Sequence, residues 1–271
     1  MKRYIIFLLV IIFFVMPKNS EADEKEYRVV SELPKENITL YAKQKNGLFQ
    51  DFKIHFKGET YFRPYWMNVT KPTYAPKLFY EDINQDGRKE LIITLTKGYG
   101  SGALDEEVYV YRYTNGLIDV LVDNPSAIIY KNVKTKLTTE KAEIIVGDKV
   151  STVDTKSIEP SHLFEDIGFG SIIDYKVINK NLMVRVSGQI SPAMFVGDII
   201  IVYEYRNKMY QAKTIDFIPH HLIDKNPFYG PVKHSVAKLS YEISAPCSIA
   251  FLLISEPISF PCSKPTKIFL S

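Results

Sequence analysis

From about residue 38 to residue 230 the chain consists of short apolar runs, rich in Tyr, Phe, Ile and Val, broken at close intervals by turn residues. Alternation over a few residues marks a half-buried strand, and β-branched and aromatic side chains suit a pleated surface. Few stretches keep a helical period over eleven or more residues. Three hairpins stand out. Val108–Tyr113 and Leu117–Val122 flank Thr114-Asn115-Gly116; Ala142–Val146 and Lys149–Val153 flank Gly147-Asp148; Ile199–Tyr205 and Met209–Phe217 flank Arg206-Asn207-Lys208. Gly and Asn at such turns accept the left-handed backbone that tight hairpins need, and Asn46-Gly47 and Lys57-Gly58 carry the same signal. The first and third hairpins share a Tyr-rich strand, a polar turn and a shorter return, a weak internal repeat. The pattern predicts a mainly β protein of antiparallel sheets with few helices, as a sandwich, a barrel or a partial propeller. A sub-boundary near 125–135 is weakly marked.

Both ends depart from this pattern. Lys2 and Arg3 precede an uninterrupted apolar run from Tyr4 to Met16, then Pro17 and a polar segment. Thirteen apolar residues fall short of the roughly 20 that span a bilayer and suit the core of an export signal. Ser20-Glu21-Ala22 places small residues where a signal peptidase reads them, which predicts cleavage after Ala22 and a signal peptide over 1–22. The bulk of the chain is then secreted or extracytoplasmic, or membrane-anchored if the signal stays on. No Cys follows the apolar run, which argues against a lipid anchor, and no later segment is long and apolar enough to span. Residues 23–37 are charged and contain Pro34, and read as a flexible leader before a β-rich domain over 38–230.

Beyond residue 230 the composition changes abruptly: residues 231–271 lack Gly, Asn, Asp, Gln and Arg altogether and hold eight serines and both cysteines, Cys247 and Cys262. Those five absent types make up about a quarter of ordinary sequence. Three readings compete: an apolar extension docked on the core, a partner-binding tail, or a non-native translation from a shifted reading frame. A shift on every compositional axis at once favours the last. The two cysteines are free to pair in an oxidising compartment, but two in a chain this long are not a disulfide framework.

The formal net charge of the 271 residues is +3, with 46% hydrophobic and 24% charged residues. This is a globular composition, and its mild basicity lacks the concentrated patch of a nucleic-acid binder. One segment carries chemistry. Asp82-Ile83-Asn84-Gln85-Asp86-Gly87-Arg88-Lys89-Glu90 offers side-chain oxygens at its first, third, fifth and ninth positions. Ca2+ takes six to eight oxygen ligands, and alternate positions of a tightly turning loop point inward. Asp82, Asn84 and Asp86 then converge, Gly87 permits the turn, the Arg88 carbonyl adds a ligand and Glu90 closes the sphere. An EF-hand needs its closing Glu at position 12, here Ile93, and flanking helices; Leu91–Thr96 reads instead as a strand.

A loop that ends directly in an apolar strand resembles the calcium loop of FG-GAP and VCBS repeats, found in integrin-type β-propellers and many secreted bacterial proteins. The resemblance covers about 25 residues and includes Phe79-Tyr80-Glu81 before the loop. It implies that Asp82, Asn84, Asp86, the Arg88 carbonyl and Glu90 hold a Ca2+ ion between two strands. Glu90 stands where the family usually has Asp, and the chain carries one such loop where propellers carry several. The chain looks most like uncharacterised secreted proteins of Gram-positive bacteria with a single loop in a β-rich domain. The competing reading of the same residues is a metal-free turn whose Asp and Asn side chains cap backbone N–H groups.

Other features give less. Lys97-Gly-Tyr-Gly-Ser-Gly102 leads into Asp105-Glu106-Glu107, not into a helix N-terminus with a basic partner, so it reads as an inter-strand connection followed by a solvated acidic run. His220 and His221 point to opposite faces of a strand and cannot share an ion. Tyr61–Trp66 concentrates aromatics that stack on sugar or peptide if exposed and are core if buried, the latter being favoured. No nucleophile–base or zinc pattern is present. Two functions follow for testing: a non-enzymatic exported protein with one structural Ca2+ loop, binding a cell-wall or protein ligand or serving the cell envelope, and alternatively a secreted or wall-associated hydrolase whose catalytic groups are scattered along the chain.

Overall fold

A computed structural model describes residues 26–225 together with Phe228. The expected signal peptide over 1–22, the tail over 231–271 and both cysteines lie outside the described residues. Within them the chain is mostly strand, as the alternation predicts, with one α-helix.

The first sheet is a meander of β1 (Arg28–Leu33), β2 (Ile38–Lys45), β3 (Leu48–Phe56) and β4 (Glu59–Arg63), with β5 (Asn68–Val69) pairing β3. Asn46-Gly47 and Lys57-Gly58 both turn with positive φ at the two central residues, the mirror-image turn whose twist matches the strands it joins. The leader expected over 23–37 is corrected here. Arg28–Leu33 pairs antiparallel with β2, and Pro34–Glu36 forms a 3-10 turn that ends on left-handed Asn37. Its alternation was too polar to read as a strand because β1 is an edge with largely exposed side chains.

The large sheet contains β6 (Lys77–Glu81), β7 (Glu90–Gly100), β8 (Ala103–Tyr113), β9 (Leu117–Val120), β13 (Gly168–Ile178), β14 (Asn181–Ser191), β15 (Met194–Arg206) and β16 (Met209–Pro219). Its order is β16-β15-β14-β13-β8-β7-β6, with β9 on β8, and it curls into a half-barrel. All neighbours are antiparallel except β8 and β13, joined in parallel at Leu104–Asp105 and Ile172–Ile173. A parallel pair needs a long crossover. Here it is α1 (Pro125–Asn132) and a separate three-stranded sheet of β10 (Val133–Leu137), β11 (Lys141–Val146) and β12 (Lys149–Asp154). Helix α1 starts on Asn124, whose side chain accepts the N–H groups of Ser126 and Ala127. The three sequence-predicted hairpins are β8–β9, β11–β12 and β15–β16. The last turns on two left-handed residues, Asn207 and Lys208.

Two cores follow from the two faces of this sheet. On one, Leu78, Leu91, Ile93, Leu95 and Tyr111 pack against Ile38, Leu40, Phe52, Ile54, Phe56 and Trp66 of the first sheet. On the other, Ile92, Val110, Val184, Val186, Ile199 and Ile201 pack with Ile128 and Ile129 of α1 and Ala142 and Ile144 of β11. Strand β7 is buried on both faces, which is why Leu91–Leu95 reads as an almost continuous apolar run. Trp66 belongs to the first core at 6% exposure, so the aromatic cluster at 61–66 is chiefly structural there, although Tyr65 beside it is 93% exposed.

Candidate functional site

The Asp82–Glu90 loop is the connection between β6 and β7, which pair antiparallel up to Glu81 opposite Glu90. Two features hold it in place. Ile83 points inward and is buried in the second core, and Glu90 is the first residue of β7, fully buried. Between them the polar side chains bind the loop's own backbone. Asp82 accepts the N–H groups of Asp86 (3.2 Å) and Gly87 (3.1 Å), Asn84 accepts Asp86 N–H (2.9 Å) and Asp86 accepts Arg88 N–H (3.0 Å). Gln85 and Gly87 both have positive φ, the backbone that lets nine residues coil this tightly.

Glu90 ties the two ends together. One carboxylate oxygen accepts the Ile83 N–H at 3.1 Å, and the other accepts the Asn84 side-chain amide at 2.8 Å. The loop thus gathers Asp82, Asn84, Asp86 and Glu90, and leaves the Arg88 side chain exposed.

A residue that sequence reasoning missed completes the cluster. Arg112 of β8 bonds Asp86 through one terminal nitrogen and lies 3.5 Å from Glu90 through Nε. Its other terminal nitrogen donates to the Tyr205 hydroxyl at 3.3 Å, and the guanidinium lies over that ring. Beside it the Tyr210 hydroxyl is buried with no hydrogen-bond partner among the described residues, and it feels the charges of Glu90, Arg112 and Asp86.

Burial pushes the Glu90 carboxyl up to about 7; the Ile83 N–H and Arg112 pull it back only in part, and Asp86 and Asp82 push it further up. The native state therefore holds a proton that the unfolded chain has lost between about pH 4.5 and 7. Stability falls as pH rises through that window, by roughly 3 kcal/mol in all. Glu90→Gln should flatten this part of the stability–pH curve, measured by urea unfolding from pH 5 to 8. An unchanged slope would mean that another group is responsible.

The residues fit a divalent cation in kind. Hard oxygens are gathered, each bonded carboxylate oxygen keeps a second lone pair, and an orphaned hydroxyl stands beside them. Their present arrangement is not a ready-made metal site: among the described residues no three His, Cys, Asp or Glu side chains are grouped to hold an ion. Asp86 turns to Arg112, and Asn84 donates to Glu90. Comparison with protein families, with curated proteins and with solved structures gives no match to the chain. The likeness to FG-GAP and VCBS loops therefore rests on the nine loop residues and the strands that flank them. No helix among the described residues is long and apolar enough to cross a membrane.

The acidic run at 105–107 needs a correction. Glu106 is 4% exposed, binds Lys77 at 2.6 Å and accepts the Tyr175 N–H at 2.8 Å. The parallel junction of β8 and β13 leaves that N–H in need of an acceptor, and Glu106 supplies it. The network continues across the sheet. Lys77 lies 3.9 Å from Asp174, Arg185 lies 3.2 Å from Asp174 and 3.9 Å from fully buried Asp198, and Ser187 donates to Asp198 at 2.6 Å. His220 is 3.5 Å from the same Asp198 oxygen. Burial pushes the Asp198 carboxyl up, but His220, Ser187 and Arg185 together hold it below the usual carboxylate range. Ser187 is 1% exposed and donates its hydrogen bond to Asp198, so the arrangement is an ion-pair network of the fold.

Proposed function

We propose that the chain is an exported, non-catalytic β-rich protein with a binding or cell-envelope role, and that its Asp82–Glu90 loop takes one structural Ca2+ ion. The observation that carries the reading is a charge deficit. Asp82, Asp86 and Glu90 belong to one short loop, and Arg112 is the cation that meets Asp86 and Glu90 there. Above about pH 7, where Glu90 gives up its proton, three carboxylates stand against one guanidinium and leave two negative charges; below it the deficit is one. A divalent cation cancels that deficit. Asp82, Asn84, Asp86, the Arg88 carbonyl and Glu90 would hold it, and the ion would pin the β6–β7 connection. In this reading Arg112 is the metal-free loop's own counter-ion and withdraws from Asp86 when the ion enters.

The export signal supports the same reading. Calcium outside cells is commonly millimolar, enough to fill a site with a dissociation constant of about 10⁻⁴ M. At ten times that constant, binding to the native state alone adds about 1.4 kcal/mol, a rise in melting temperature of roughly 3–5 °C for a chain of this size. Thermal unfolding with millimolar calcium against chelator should show that rise, and Asp86→Ala should abolish it. An identical rise in the variant would overturn the assignment.

A further inference from the structure

We propose that the groove between α1, the three-stranded sheet and the β15–β16 hairpin binds a phosphate-bearing polymer, which deepens the binding role proposed above by naming its ligand. The groove encloses about 860 Å³, within the range of about 300–1,000 Å³ typical of ligand sites. Its walls bring together Lys131 of α1, Lys134 of β10, Arg206 of β15 and Lys213 of β16, against a single lining carboxylate, Asp123.

These cations share one concavity, and most of them are unpaired among the described residues. Lys77, Lys89, Lys97, Lys141 and Lys149 each lie against a carboxylate. Lys131, Lys134 and Lys213 make no ion pair among the described residues, and Arg206 alone of the four has a neighbouring acid, Glu204 at 3.7 Å. Two stretches distant in sequence, 131–134 and 206–213, thus line one concavity with positive charge that Asp123 and Glu204 offset only in part. Such an arrangement costs the fold some repulsion and focuses a field that attracts anions. Ammonium groups on flexible stems are point charges that suit phosphate oxygens. Because the cations ring the groove on four separate elements, they fit several phosphates in a row better than one. Apolar residues such as Ile128, Val146 and Ile215 also line it and offer packing to the skeleton between them.

The test is calorimetric titration of the full chain, in chelator and at low salt, with inorganic polyphosphate and separately with orthophosphate at equal phosphate concentration. Polyphosphate should bind and should weaken as salt is added. The triple variant Lys131→Gln/Lys134→Gln/Lys213→Gln should bind at least tenfold more weakly. A variant that removes the same charge elsewhere, Lys35→Gln/Lys156→Gln/Lys180→Gln, should change affinity less than twofold. All six side chains are exposed, so folding should be kept, which a melting curve checks. Asp86→Ala lies outside the groove and should leave polyphosphate binding intact, so failure of the calcium loop and failure of the groove are distinguishable. Orthophosphate binding as tight as the polymer, and lost in the groove variant, would keep the phosphate chemistry and overturn the polymer. No binding of either probe, or equal losses in both triple variants, would overturn the site.

Discussion

Arg185→Leu should lower the folding free energy by about 3–5 kcal/mol, the loss expected when one partner of a buried ion pair is removed and the other is left uncompensated. Arg185 is 13% exposed and stands between Asp174, 10% exposed, and Asp198, fully buried. Asp198 keeps Ser187 and His220 as partners in the variant, but among the described residues Asp174 retains only Lys77 at 3.9 Å. Removing the carboxylate as well, in Arg185→Leu/Asp174→Leu, should restore at least half of the loss, because an apolar pair of similar volume carries no desolvation cost. Urea unfolding of the two variants checks both statements. A single variant that loses less than about 1 kcal/mol would mean that water, not protein, solvates these charges.

Trp66→Ala should cost a similar amount, about 3–5 kcal/mol, as buried aromatic truncations do. The indole is 6% exposed and lies among Phe52, Tyr109 and Tyr111 at centroid distances of 5.9, 4.2 and 6.2 Å. Tyr65→Ala, one residue away in sequence, should stay within about 0.5 kcal/mol, since that ring is 93% exposed. Comparable losses in the two variants would contradict the placement of the first core between the two sheets.

The strands and their turns were legible because each signal is local. Alternation at Ile38–Ala42 and Ala142–Val146, and Asn-Gly or Lys-Gly between runs, fix a hairpin without reference to the rest of the chain. The Asp82–Glu90 cluster was legible for the same reason, its residues being neighbours along one loop. What depends on register was hidden. In the β7–β8 hairpin Gly100 pairs with Ala103, and unbroken pairing from that turn would set Glu90 opposite Tyr113. An irregularity between Thr96 and Gly98 shifts the partners by one, so that Leu91 meets Tyr111 and Arg112 arrives beside Glu90. Gly98 permits a bulge there but does not require one, and a one-residue slip turns every side chain to the other face. Glu106 was misread on similar grounds. Its burial follows from the parallel contact of β8 with β13, some 65 residues later in the chain, and no local pattern reports that contact. The ion pairs of Asp174, Arg185 and Asp198 are cross-strand neighbours on β13, β14 and β15, visible only once the order of the strands is known.

Arg112 also decides what a functional test must resolve, because its guanidinium already closes the loop on Asp86 and Glu90 without an ion. Calcium titration calorimetry on the intact chain, with Asp86→Ala alongside, separates them. The proposed function predicts saturable binding of about one ion at sub-millimolar affinity, lost in the variant. No heat at millimolar calcium would contradict it and would leave the loop as a polar turn held by Arg112.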